Sequence, residues 1–288
     1  MIVPSTAGIG TDGFTRFLTR YLGEKHGWQF VIDNKAGGNG FIAINEFLRT
    51  PNDGHTLFAG GSSVLSSNAV QFKKLPYDPV NDFTPVRWGV SAPYVLIPAP
   101  KHKVKSVAEL VEMLKREPGK LSYGSSGANR NSAERFLQAA GVKALHVPYK
   151  ANPPAITDLL GSHVDYMFVD TVISLPLIKG GQLSPLAVTA GRRLKQLPNV
   201  PTMIEAGFPD FQRAAWNGMF LHRNANVRHV ETLNKAMLDF FAAPAGQEFL
   251  EGAGGYTETV NSAQMKRRIE EEIAMLREVA RRAGIEPG

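Results

Sequence analysis

Two stretches of this chain gather hydroxyls, small residues and backbone amides at the point where a helix begins. The first is Leu121-Ser122-Tyr123-Gly124-Ser125-Ser126-Gly127-Ala128-Asn129-Arg130-Asn131-Ser132-Ala133-Glu134-Arg135-Phe136-Leu137. It reads as a short strand, a Gly/Ser turn and a helix, because Ala133, Phe136, Leu137 and Ala140 fall at i, i+3, i+4 and i+7 and Gly141 can stop the run. A helix start of this kind presents unpaired N–H groups at the positive end of a dipole, which suits a carboxylate or another small anion. Ser125, Ser126 and Asn129 equally suit plain helix capping, so this stretch alone leaves both roles open. The second stretch is Ile2-Val3-Pro4-Ser5-Thr6-Ala7-Gly8-Ile9-Gly10-Thr11-Asp12-Gly13, followed by Phe14, Phe17, Leu18, Tyr21 and Leu22 at helical spacing. Two anion-ready loops so far apart in the chain suggest two lobes that close on one ligand.

Composition permits this and removes alternatives. A chain of 288 residues has room for two α/β lobes, each burying its own core. Hydrophobic residues at 43% and charged residues at 20% are those of a soluble globular protein, and no apolar run approaches the ~18–20 residues of a membrane span. Membrane insertion is not expected. Lys and Arg exceed Asp and Glu by 32 − 26, or +6, but the charges are scattered. Small groups at Lys101-His102-Lys103 and Lys266-Arg267-Arg268 carry no interleaved aromatics, so nucleic acid is not an expected partner. The absence of cysteine excludes thiolate chemistry and disulfides, and the seven histidines show no His-x-x-x-His or Glu-x-x-His pairing. Neither a metal nor a cofactor is expected.

The elements that would position the two loops follow from periodicity. In the first part, strands are expected at 29–32 and 56–59, with a helix carrying Ile42, Ile44, Phe47 and Leu48 between them. Asp33-Asn34-Lys35-Ala36-Gly37-Gly38-Asn39-Gly40 reads as a flexible loop, and Gly60-Gly61-Ser62-Ser63 as a third small-residue loop after a strand. The proline-rich stretch 73–100 holds one expected strand, over 95–97. Ser106-Val107-Ala108-Glu109 is a capping box that opens the second part. There the expected order is helix 106–117, strand 121–123, helix 129–140, strand 144–147, helix 154–160, and strands 164–169 and 183–189. A strand near 216–221 returns the chain to the first part, and helices at 226–242, 245–252 and 262–283 complete it. Alternating strands and helices predict parallel sheets covered by helices, with ligands bound outside the strand ends. The expected fold is therefore α/β and two-lobed, with residues 1–100 and 221–288 as one lobe, 101–220 as the other, and a two-segment hinge at 98–104 and 216–222.

These residues resemble a known family. Gly10-Thr11-Asp12, Pro51-Asn52-Asp53-Gly54-His55-Thr56-Leu57, Lys74-Leu75-Pro76-Tyr77-Asp78-Pro79-Val80-Asn81-Asp82-Phe83 and Pro118-Gly119-Lys120-Leu121-Ser122-Tyr123-Gly124-Ser125-Ser126-Gly127 resemble the Bug/TctC-type solute-binding proteins. So do His146-Val147-Pro148-Tyr149-Lys150, Ile156-Thr157-Asp158-Leu159-Leu160-Gly161, Leu186-Ala187-Val188-Thr189 and Leu197-Pro198-Asn199-Val200-Pro201-Thr202. The resemblance implies a Venus-flytrap, periplasmic-binding-protein fold. It further implies a monomeric, non-enzymatic periplasmic receptor that captures a small carboxylated solute for the membrane components of a tripartite tricarboxylate-type transporter. Carried over by position, the ligand contacts would be Ser5, Thr6, Ala7, Gly8, Gly10, Thr11, Asp12, Gly61, Ser62 and Ser63 from one lobe. Ser125, Ser126, Gly127 and Ser132 would supply the other, with Tyr149 and Asp170 flanking the cleft.

Three departures stand out. Ile9 sits among glycines where the family's first loop usually reads Pro-Pro-Gly-Gly-Gly-Thr-Asp, and Ala151-Asn152 follow Lys150 where Gly-Ser is common. The chain also starts inside the first strand and lacks a signal peptide, so a leader is expected to have been removed or truncated. Arg130, one turn into its helix where the dipole disfavours a cation, would meet the distal carboxylate of a diacid if it faced the cleft, or solvent if it did not. Trp216 would form an apolar wall of the cleft or pack the hinge.

An enzyme competes with the receptor. Gly8, Gly10 and Gly13 match the G-x-G-x-x-G fingerprint, with Asp33 placed as a ribose-binding acid of an NAD-dependent oxidoreductase. Against this, Pro4-Ser5-Thr6-Ala7 separates the strand from the first glycine, and Asp12 would set a negative charge near a pyrophosphate. A hydrolase fits less well, since Gly124-Ser125-Ser126-Gly127 is not Gly-x-Ser-x-Gly, and His26, His146 and Asp170 form a triad only by assumption.

Overall fold

The computed structural model describes residues 1–288 apart from Ile9, Gly127, Ala128, Ala283, Ile285 and Gly288. Its strands are β1 Ile2–Val3, β2 Asp33–Asn34, β3 Phe58–Gly61, β4 Phe83–Pro98, β5 Ser122–Ser125, β6 Leu145–Pro148, β7 Tyr166–Asp170, β8 Ala187–Val188 and β9 Ala214–His222. The helices are α1 Thr11–His26, α2 Phe41–Arg49, α3 Asn68–Gln71, α4 Val107–Arg116, α5 Asn129–Ala140, α6 Asn152–Leu160, α7 Thr171–Lys179, α8 Val227–Ala242, α9 Pro244–Ala253 and α10 Ser262–Arg282. A π-turn, Ser63–Ser67, joins β3 to α3.

The strands run in the order β2-β1-β3-β9-β4-β7-β5-β6, with β8 also on β4. One strand serves both halves. β4 pairs β9 from Phe83 to Pro93, then changes partner and pairs β7 from Tyr94 to Pro98. Strand direction decides what meets at that changeover. β3 and β4 are both antiparallel to β9, so β3 runs towards the changeover, as does β1 beside it. β7 is antiparallel to β4 and parallel to β5, so both run back towards it. The carboxyl ends of β1 and β3 therefore face those of β5 and β7.

Each half has two apolar layers. In the first, Phe47, Phe58, Phe83 and Phe220 pack with Met265 and Ile269 of α10 on one face, and Phe14, Leu18, Met237 and Phe240 fill the other. In the second, Tyr166 and Phe168 pack with Phe136 of α5 and Leu110 of α4, and Ile97 and Val169 pack with Leu175 of α7 and Leu159 of α6. Burying one such aromatic or aliphatic side chain contributes about 1.5–3 kcal/mol, so each half carries its own driving force.

Three expectations are corrected. The segment 29–32 is not a strand, because Val31 is 81% exposed and pairing starts only at Asp33. The strand expected at 95–97 is far longer, since β4 begins at Phe83 despite Pro85 and Pro93. In this half β4 has only β9 as a full-length partner, and an edge strand tolerates residues that lack a donor. Helix α7, which carries Pro176, lies where no element was expected.

Candidate functional site

On the first half the loop after β1 folds around its own carboxylate. Asp12 is fully buried and accepts the Gly8 N–H at 2.6 Å, Arg16 Nε at 2.7 Å and Asn34 Nδ2 at 2.8 Å. Burial opposes its ionisation, but these three donors outweigh burial and hold the carboxyl below its ordinary value. Asn34 Nδ2 also reaches the Ser5 carbonyl at 3.0 Å, which ties the loop to β2. Gly8 and Gly10 take positive φ values of 83° and 57°, the region where a side chain is costly, and this lets the loop turn into α1. Thr6, Ala7, Gly8 and Gly10 are exposed, and Ser5 and Thr11 are half-buried.

β3 delivers the second loop of this half. Gly61 packs so closely that a Cβ would lie 2.2 Å from the Trp216 carbonyl oxygen, and only glycine lets β3 approach β9 there. Ser62 is buried and its Oγ accepts the Trp216 N–H at 3.4 Å, whereas Ser63 is exposed.

On the second half, β5 ends in Ser125, whose Oγ lies 2.7 Å from His146 Nε2. Burial and the nearby Arg130 charge lower the His146 pKa to about 4, so the ring is neutral and the pair carries no cation. Ser126 donates its N–H to Asn129 Oδ1 at 2.8 Å and its hydroxyl to Asn152 Oδ1 at 2.5 Å. Asn152 Nδ2 continues to Asp170 Oδ2 at 3.3 Å. Asp170 ends β7 opposite Tyr94 and caps α7 by accepting the Ile173 N–H at 3.2 Å. Although Asp170 keeps partial exposure, the packing around its carboxyl pushes it up to about 6 against the backbone donors that lower it. Ser132 is fully buried, with no hydrogen-bond partner for its Oγ among the described residues.

The structure thus gathers Ser62 and Ser63 near the changeover from one side, and Ser126 and Asp170 from the other. Gly61 pairs Asn217, which β4 meets near Val90, and Asp170 pairs Tyr94, so the two strand ends are about 13 Å apart along β4 at roughly 3.3 Å per residue. Arg130 keeps 31% of its side chain exposed. Its Nε lies 3.7 Å from Glu134, and Glu134 also accepts the Tyr123 hydroxyl. Tyr149 donates to Asp158 at 2.6 Å, and burial and that carboxylate push its pKa up to about 12. Gly127 lies outside the described residues, as does Ile9. Trp216 is 6% exposed and packs on Trp88 at a ring separation of 4.4 Å, which is the hinge-packing alternative. Asp33 pairs with Lys35 at 3.2 Å, and Gly13 lies in the first turn of α1.

Sequence reasoning named Asn129 only as a possible cap and missed Asn34 and Asn152 as residues that hold the loops. Their signal was weak, because a single Asn in a loop or helix start reads only as a cap. Two open grooves lie beside the loops. One of about 460 Å³ sits between the changeover and α10, with Trp88, Arg213, Trp216, Tyr256 and Glu272 in its wall, and one of about 440 Å³ lies between α5, the turn at 207–211 and α10. Neither contains the Gly/Ser loops.

Two α/β halves joined through long strands, with small-residue loops at facing strand ends, define a two-lobed binding protein. Residues 14–285 match the family described as Tripartite tricarboxylate transporter family receptor (TctC), and the chain belongs to that family. It is similar to R. palustris Rpa4515 with adipate, with a TM-score of 0.91 and 33% identity, covering 100% of this chain and 98% of that one. MatC (Rpa3494) from Rhodopseudomonas palustris with bound malate has a TM-score of 0.84 and 26% identity, covering 97% and 98%. BugT of Bordetella pertussis is 29% identical over 288 residues, covering 99% of this chain and 88% of that protein. Members of the family are periplasmic solute-binding receptors, and among the described residues no helix is long and apolar enough to cross a membrane.

Proposed function

We propose that the chain captures a small carboxylated solute between its lobes in the periplasm, as a monomer, and delivers it to the membrane components of a tripartite tricarboxylate-type transporter. The observation that carries this is the convergence of the β3 and β7 ends at the β4 changeover, with Ser62 on one side and Ser126 and Asp170 on the other. Two similar solved proteins hold adipate and malate, both small dicarboxylates. The first lobe is assigned to 1–100 and 221–288 and the second to 101–220. Strand pairing changes at Pro93/Tyr94 and just before Ala214, seven residues before each of those borders.

The solute would be met by hydroxyls and backbone amides from both lobes, so only a closed arrangement satisfies all its contacts and binding drives closure. On the first lobe the contacts assigned are Ser5, Thr6, Ala7, Gly8, Gly10, Thr11, Gly61, Ser62 and Ser63, while Asp12, expected from the sequence as a contact, is buried behind them and holds their loop. On the second they are Ser125, Ser126, Gly127, Arg130, Ser132, Tyr149 and Asp170. For Arg130 to reach a distal carboxylate, its contact with Glu134 must open. Calorimetric titration of a Ser62→Ala/Ser126→Ala double variant with a solute that binds the parent is the test. A folded variant with weakened binding supports the assignment, and unchanged affinity defeats it.

A further inference from the structure

Glu272 lies on α10, far in sequence from every loop assigned above, yet three segments of the changeover region converge on it. Ser66, in the π-turn that continues the Ser62-Ser63 loop, donates its hydroxyl to Glu272 Oε2 at 2.8 Å. Trp216 of β9 donates its indole N–H to the same oxygen at 2.6 Å. Arg213, immediately before β9, places Nη1 3.3 Å from Oε1. Ser66 is fully buried and Arg213 nearly so, and Glu272 keeps only 12% of its side chain exposed, so these are charge-assisted contacts sheltered from water rather than surface pairs.

The next residue along the turn takes the connection to the other lobe. Asn131 of α5 donates to Ser67 Oγ at 3.4 Å, so adjacent serines are tied, one to α10 and one to the helix that follows the second anion-ready loop. Beyond Glu272, α10 itself reaches α5. Gln138 Nε2 donates to the Val279 carbonyl at 2.8 Å, and Arg135 Nη1 lies 3.7 Å from Met275 Sδ. A helix that packs on the first lobe through Met265, Ile269 and Ile273 therefore touches the second lobe through its later turns.

We propose that Glu272 is a positioning residue that couples the Ser62–Ser67 segment of the solute loop to the angle between the lobes. The inference rests on the receptor function proposed above, and deepens it by naming the group that transmits solute contact to closure. Movement of Ser66 on solute binding would be passed through one carboxylate to Trp216 and Arg213 at the changeover. A neutral amide in its place keeps the size but leaves the sheltered Arg213 cation without a compensating charge.

The chain contains no cysteine, so two labels can be introduced without background. Nitroxides on a Lys25→Cys/Lys115→Cys protein, at exposed positions on α1 and α4, report the inter-lobe distance by double electron–electron resonance. In ligand-stripped protein, Glu272→Gln is expected to shift or broaden the distance distribution, and Glu270→Gln, an exposed neighbour on α10, to reproduce the parent's. Ser66→Ala removes one hydroxyl only and is expected to shift it in the same direction, which keeps the inference testable if Glu272→Gln does not fold. A folded Glu272→Gln protein with the parent's distribution overturns the coupling, as does an unchanged Ser66→Ala distribution if that variant alone folds. Adipate and malate are then added to the parent. If neither moves its distribution while Glu272→Gln does, the coupling stands and the failure belongs to the solute assignment.

Discussion

Gly8 donates its backbone N–H to the Asp12 carboxylate at 2.6 Å, so the first loop turns its fixed negative charge inward instead of presenting it to the cleft. An anionic solute approaching this loop meets backbone and hydroxyl groups, while Arg16 and Asn34 compensate the carboxylate from behind.

Removing that carboxylate should collapse the loop. Asp12→Ala leaves Gly8, Arg16 and Asn34 without their acceptor, at a cost of about 2 kcal/mol, kept modest because Arg16 is half exposed. Denaturant unfolding of both proteins measures it. The folded-state pKa of Asp12 is lowered, so its contribution is present above the unfolded value near 3.9 and is lost as pH falls through the folded value. The stability gap between parent and Asp12→Ala should therefore narrow in strong acid.

Asp170 and His146 pull the pH dependence in opposite directions. Asp170 rises from about 3.9 unfolded to about 6 folded, so the native state binds more protons in that window and stability falls as pH rises through it. His146 drops from about 6.5 to about 4, so the unfolded state binds more protons and stability rises with pH across nearly the same window. Asp170→Asn, which keeps a helix-capping side chain, should gain stability relative to the parent near pH 7, lose that gain near pH 4, and expose the histidine slope. Unfolding curves between pH 4 and 8 decide it. Parallel curves for parent and variant would contradict the buried carboxyl.

Much of this was legible beforehand, and the exceptions share a cause. The helix after the second loop was readable because Ala133, Phe136 and Leu137 repeat at helical spacing, and they are buried as that spacing requires. The Gly/Ser loops were readable because a strand ends where small residues begin. β4 was not, since Pro85 and Pro93 break a local pattern that only its neighbours make tolerable. Glu272 was opaque for a related reason: what it meets depends on partners brought in by other elements, more than fifty positions away.

Gly61 should not accept a side chain. In Gly61→Ala the new Cβ would lie 2.2 Å from the Trp216 carbonyl oxygen, so β3 and β9 must part, which costs about 1–3 kcal/mol as overpacking does. Thermal melting should drop accordingly. Solute affinity should fall by more than in a control of equal stability loss far from the changeover, because Ser62 moves with its neighbour.

Ser132 separates stability from binding. Its buried hydroxyl has no partner among the described residues, so Ser132→Ala should leave the ligand-free protein unchanged or up to about 1 kcal/mol more stable. If Ser132 serves the solute, the same variant should bind it more weakly. Paired unfolding and titration experiments read both.

The most direct measurement is thermal unfolding of the ligand-stripped protein against a panel of mono-, di-, tri- and aromatic carboxylates, with NAD and NADH beside them. A solute present at about 100 times its dissociation constant stabilises the fold by about 2.7 kcal/mol, which is readily detected. A shift with one class of carboxylate and none with the nucleotides is the predicted result, and a shift with the nicotinamide nucleotides alone would contradict the receptor assignment.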